Sequence, residues 1–102
     1  MNLESLPTPC LVLDQDKMDA NIARMKTRVA ALGASFRPHL KTGKCIEVAR
    51  RMMSSDAGPA TVSTLKEAEQ FFAAGVTDLL YAVGIAPAKL GQVAELRARG
   101  CE

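Results

Sequence analysis

Arg37, His39 and Lys41 occupy alternate positions in the run Phe36-Arg-Pro-His-Leu-Lys41, and Lys44 follows shortly after. In a strand, alternation puts these three basic side chains on one face and Phe36, Pro38 and Leu40 on the other. The apolar trio would meet a covering layer, and the basic trio would line an interior. Cations buried without partners cost several kcal/mol each, so the pattern requires acids from elsewhere in the fold or an anionic ligand. A lysine in such a place has a particular chemical use. Desolvation and neighbouring cations both disfavour its protonated form, exposing an amine that can form a Schiff base with an aldehyde. Lys41, at the C-terminal end of the run, is the candidate nucleophile. Arg37 and Lys44 supply cations nearby, and His39, the chain's only histidine, is placed to shuttle protons. The alternative is a structural basic face, paired with acids or solvated.

Four repeating units position this run. Pro9–Asp14 is a short apolar strand, followed by a helix with Met18, Ile22, Met25, Val29 and Leu32 on one side, capped by Asp14 or Asp16 and ended by Gly33. Ala34–Lys41 is the second strand, and Ile46, Ala49, Met52 and Met53 mark its helix, which exits through Ser54–Gly58. Pro59–Ser63 is the third strand. Thr64-Leu-Lys-Glu67 is a capping box for a helix that buries Leu65, Ala68 and Phe72 and closes at Gly75. Asp78–Val83 is the fourth strand, and Pro87 opens a last helix carrying Leu90, Val93 and Leu96 and ending at Gly100. Tyr81, in the fourth strand, either points inward or packs against helices. Cys45 reads as a small buried hydrophobe.

A strand and helix recurring every roughly 25 residues is the rhythm of a parallel α/β protein built from crossovers. Eight units close a (β/α)8 barrel of about 250 residues. Four units make the first half of a TIM-type barrel, with a small doubly wound sheet as the alternative. The expectation is that residues 1–102 form the N-terminal part of an incomplete barrel.

The 48% hydrophobic and 24% charged residues are those of a globular protein, and a net charge of +2 without basic blocks argues against nucleic acid as a partner. The absence of a long apolar run argues against a membrane. Three widely spaced cysteines, without a CxxC pair or a Cys/His zinc pattern, fit a reducing, cytoplasmic setting.

Four blocks, Leu6-Pro-Thr-Pro-Cys-Leu-Val-Leu-Asp14, Arg37-Pro-His-Leu-Lys-Thr-Gly-Lys44, Thr61-Val-Ser-Thr-Leu-Lys-Glu-Ala-Glu69 and Gly75-Val-Thr-Asp-Leu-Leu-Tyr-Ala-Val83, resemble consecutive blocks of the D-threonine aldolase and D-serine dehydratase family. These are fold type III pyridoxal-phosphate enzymes with an alanine-racemase-type barrel. The resemblance covers nearly the whole chain, and Arg-Pro-His-x-Lys-Thr is its sharpest element. It implies that Lys41 holds pyridoxal phosphate in Schiff-base linkage, with Lys44 the weaker candidate. It also implies that Arg37 and His39 line a pocket for an anionic cofactor and an amino-acid carboxylate, and that later loops hold most of the phosphate. Many relatives carry histidine where this chain has Gly43.

For the complete protein, the resemblance implies a lyase acting on D-3-hydroxy amino acids and assembled as a homodimer. A divalent metal, zinc or manganese, would be bound by residues outside this chain. The 102 residues alone are expected to be inactive. An amino-acid racemase, a non-catalytic pyridoxal-phosphate carrier and a cofactor-free interaction module are the competing readings.

Overall fold

Residues 2–102 are described in a computed structural model. The helices begin where the sequence supplies caps. Asp14 Oδ1 accepts the Lys17 N–H at 3.0 Å and opens α1, Gln15–Ala31. The same N–H and the Lys17 ammonium hold the Asp14 carboxyl below the ordinary carboxylate range. Thr64 Oγ1 accepts the Glu67 N–H at 3.0 Å and opens α3, Leu65–Ala73. Two further helices are α2, Ile46–Met52, and α4, Leu90–Ala98. Pro87 begins a 3-10 turn, Pro87–Lys89, that leads into α4 rather than starting the α-helix itself.

The third and fourth expected strands form β1, Ala60–Val62, and β2, Leu79–Tyr81, paired in parallel with Thr61 opposite Leu80. The second contributes a single parallel bridge from His39 to Thr61. The Leu40 N–H donates to the Thr61 carbonyl and the Thr61 N–H to the Pro38 carbonyl, both at 2.8 Å. Three parallel segments thus lie side by side with β1 central, joined by helical crossovers.

Pro9–Asp14, expected as the first strand, carries no strand pairing and is exposed throughout, with Leu11 fully in solvent. Its apolar side chains are at most partly covered, Val12 and Leu13 being 55% and 62% exposed, so pairing would gain little against the entropy of ordering them. For the same reason the α1 stripe is only half covered. Met18, Ile22 and Val29 are partly buried, whereas Met25 and Leu32 are 49% and 75% exposed. Polar contacts hold α1 instead. Arg51 donates to both carboxylate oxygens of Asp19, and Lys26 Nζ donates to the Arg51 and Met53 carbonyls at the end of α2.

The core lies on one side of the three segments. Leu40, Val62 and Val76 are completely enclosed, together with Ala49, Ala60 and Phe71. Each enclosed Leu or Val stabilises the fold by about 1.5–3 kcal/mol relative to exposure. In α3 the buried aromatic is Phe71 rather than Phe72, because Leu65, Ala68 and Phe71 repeat at threes on the sheet side. Phe72 lies at the edge of the core, with the Arg99 guanidinium 5.0 Å from its ring centre. The opposite sheet face is only partly covered: Leu80 is 51% exposed there, whereas Thr61 beside it is buried. This is the geometry of a partial barrel, with helices outside and an inner face open.

Candidate active site

The bridge between His39 and Thr61 and the register of Thr61 with Leu80 put these three side chains in one row on the inner face. Alternation along the first segment assigns Arg37 to the same face, whereas Lys41 lies in the turn just beyond the segment's C-terminal end. Burial agrees: Pro38 and Leu40 are buried and Phe36 partly so, while Arg37, His39 and Lys41 are exposed. Tyr81 pairs with the enclosed Val62 and packs against the helix-side core, so it belongs to the other face. Thr61 was not a sequence candidate. Its position became visible only through cross-strand register, and it is now the inner-face neighbour of His39.

Arg37 and Lys41 sit towards opposite ends of the run, Arg37 in its extended part and Lys41 in the turn that closes it. At the N-terminal end, the Arg37 guanidinium donates to Asp78 Oδ1 at 2.7 Å, to the Ala60 carbonyl at 3.1 Å and to the Asp78 carbonyl at 3.4 Å. It thereby joins all three parallel segments. The counter-charge the sequence required for Arg37 is Asp78, an acid immediately before β2.

At the C-terminal end the chain turns over Lys41, Thr42 and Gly43, and the Lys44 N–H donates back to the Leu40 carbonyl at 3.0 Å. Lys44 has φ of 43°, the one left-handed non-glycine among the described residues. Inside the turn, the Lys41 N–H donates to His39 Nδ1 at 3.3 Å. With Nδ1 engaged as an acceptor, Nε2 is the ring nitrogen left for other contacts on the inner face. Among the described residues, Lys41 Nζ has neither a hydrogen bond nor an ion pair. A primary amine without a partner, at the C-terminal end of a parallel strand, fits the aldehyde of pyridoxal phosphate.

Lys44 is engaged differently. Its Nζ lies 3.4 Å from Glu67 Oε1, and the Glu67 side chain is almost wholly buried. Glu67 Oε2 accepts from the Ser63 N–H at 2.8 Å and the Ser63 hydroxyl at 3.0 Å, one residue earlier than a simple capping box would take it. The Ser63 N–H is the main reason the Glu67 carboxyl is held below the ordinary range. The Ser63 hydroxyl and Lys44 add to that effect, and burial opposes it. Cys45, half-buried, donates its thiol to Glu47 Oε2 at 3.0 Å. Among the described residues, no group of three His, Cys, Asp or Glu side chains is arranged to hold a metal.

Parallel strands with helices outside, and an unpaired lysine where they end, define part of a (β/α) barrel whose chemistry is at the strand C-termini. Residues 13–100 match the family described as alanine racemase, N-terminal domain. The chain belongs to that family, the fold type III pyridoxal-phosphate enzymes. It is 55% identical to the D-threo-3-hydroxyaspartate dehydratase of Delftia sp. (strain HT23), over 98% of this chain and 26% of that protein. It is 34% identical to a D-threonine aldolase of Arthrobacter sp., over 92% of this chain and 25% of that protein. A solved variant of D-threo-3-hydroxyaspartate dehydratase in its metal-free form, a protein known from Delftia sp. HT23, superimposes with a TM-score of 0.90 at 56% identity. That match covers 95% of this chain and 26% of that one. The chain therefore spans about a quarter of the length of the relatives it matches.

Proposed function

We propose that the intact protein is a pyridoxal-phosphate-dependent lyase acting on D-3-hydroxy amino acids, with residues 1–102 forming the N-terminal part of its barrel. The unpaired Lys41 amine at the open end of the strands carries this reading. The higher identity to a dehydratase than to an aldolase supports water elimination over carbon–carbon cleavage. By itself the chain is proposed to be inactive, since it supplies only part of a barrel and leaves His39 and Leu80 exposed on the inner face. The metal that the metal-free description implies for that relative would take ligands here from outside these residues. We further propose a homo-oligomeric, cytoplasmic enzyme. Three free cysteines support the reducing setting, and no described helix is long and apolar enough to cross a membrane.

Lys41 Nζ would hold the cofactor's aldehyde carbon, and Arg37 would fix the floor of the pocket by locking the three segments in register. Bound pyridoxal phosphate supplies an electron sink for a carbanion at the substrate Cα. With the cofactor bound, Lys41 Nζ would be the base for the substrate Cα proton. His39 Nε2–H is placed to donate a proton on the same face. Loss of the substrate hydroxyl as water, followed by hydrolysis, yields a 2-oxo acid and ammonia.

The test is borohydride trapping of added pyridoxal phosphate on the intact protein, followed by peptide mass spectrometry and assay with D-3-hydroxyaspartate and D-threonine. The expected result is a label on Lys41, with ammonia and 2-oxo acid as products. Glycine and an aldehyde would indicate the aldolase reaction. An unlabelled Lys41 in folded protein would overturn the reading.

A further inference from the structure

Two lysines share the turn at the end of the first parallel segment, and only one is without a partner. Glu67 explains the difference. Its side chain is enclosed, Oε2 is fully used by Ser63, and Oε1 is buried without a hydrogen bond. The cation facing Oε1 is Lys44, at a distance of 3.4 Å but without hydrogen-bond alignment. A buried carboxylate oxygen with no donor requires a counter-charge, so Glu67 draws the Lys44 ammonium toward the β1–α3 connection. Lys44 adopts its left-handed φ with its N–H closing the turn on Leu40, and Lys41 lies inside that closed turn.

We infer that Glu67 is a positioning residue that makes Lys41 the principal reactive amine, by holding Lys44 in an ion pair and fixing the turn from which Lys41 projects. This rests on the reading of Lys41 as the cofactor-binding lysine. Glu67 touches no substrate or cofactor; it acts through Lys44. Its place in the α3 cap, which sequence alone accounts for, accommodates the second task because the carboxylate has one oxygen to spare.

The distribution of reductively trapped pyridoxal phosphate between the two lysines tests this in the intact protein, because a residue needed only for folding would not redirect a label. Wild-type protein is expected to be labelled predominantly on Lys41, with only a minor share on Lys44. Glu67→Gln keeps an acceptor for Ser63 but removes the charge, and the label on Lys44 is expected to rise roughly tenfold, the scale of losing a charged contact at a partly buried site. Lys44→Met breaks the pair from its exposed side without disturbing the cap. It is expected to slow labelling of Lys41 by a comparable factor, with Lys44→Arg restoring most of the rate. A label confined to Lys41 in Glu67→Gln, at the wild-type rate, would overturn the inference while leaving Lys41 as the cofactor lysine. So would a Lys44→Met variant labelled as fast as wild type. A wild-type protein unlabelled at Lys41 would overturn the functional reading, and this inference with it.

Discussion

Arg37 and Asp78 are 41 positions apart in sequence, and their 2.7 Å ion pair spans the central strand at the N-terminal end of the sheet. The guanidinium also takes the Ala60 carbonyl of that central strand. One side chain therefore sets the relative height of three parallel segments, including the one that ends at Lys41.

Arg37→Met should destabilise the intact protein by about 1–2 kcal/mol, since two backbone carbonyls and a carboxylate lose their shared donor at a partly exposed site. Asp78→Asn should cost less, because its backbone carbonyl stays in place. Urea unfolding of both variants checks the order; equal and negligible losses would show that the network contributes nothing to stability.

Gly58→Ala should be more damaging. Gly58 has φ of 125°, and an added Cβ would lie 2.8 Å from the Asp78 carbonyl oxygen and 3.1 Å from the Asp78 Cβ. Backbone would have to move at the residue that pairs with Arg37. A loss of more than about 2 kcal/mol is expected from combined strain and overpacking, read as a fall in melting temperature. A wild-type melting temperature would contradict the contact.

Glu67 predicts a feature of the acid limb of stability. Its native carboxyl titrates below its unfolded value, so its contribution is complete above the ordinary glutamate range and disappears as pH falls through the lowered native value. Glu67→Gln should therefore flatten the stability profile in that acid window and leave its slope unchanged between neutral and mildly alkaline pH. Thermal unfolding across pH compares the two proteins, and parallel acid limbs would count against the assignment.

Lys41→Arg should leave the unfolding free energy of the apoprotein within about 0.5 kcal/mol of wild type, as for an exposed side chain without partners. It should also eliminate the trapped label at that position, because a guanidinium stays charged and does not form the Schiff base. A substantial loss of stability would assign Lys41 a structural contact.

The apolar periodicities and caps made the helices and the parallel alternation legible. Asp14 and Thr64 cap as their residue types dictate, and the faces of the run from Phe36 to Leu40 follow from alternation alone. Strand extent was less legible. Pro9–Asp14 has the composition of a strand but no neighbour to pair with, and Ala34–Lys41 is reduced to one bridge at His39. Composition reports a capacity for pairing, whereas pairing itself depends on what lies alongside.

By itself the sequence determined which groups could do chemistry: one lysine at the end of a basic strand, a histidine two positions before it, and a second lysine close behind. The tertiary structure decided how those cations are divided. Asp78 and Glu67 lie far from Arg37 and Lys44 in sequence, and folding brings each acid against one cation. Lys41 is left with no ion-pair partner among the described residues. Local periodicity can assign a side chain to a face, but its partner there is fixed by strand register and by the burial of a carboxylate that must find a charge.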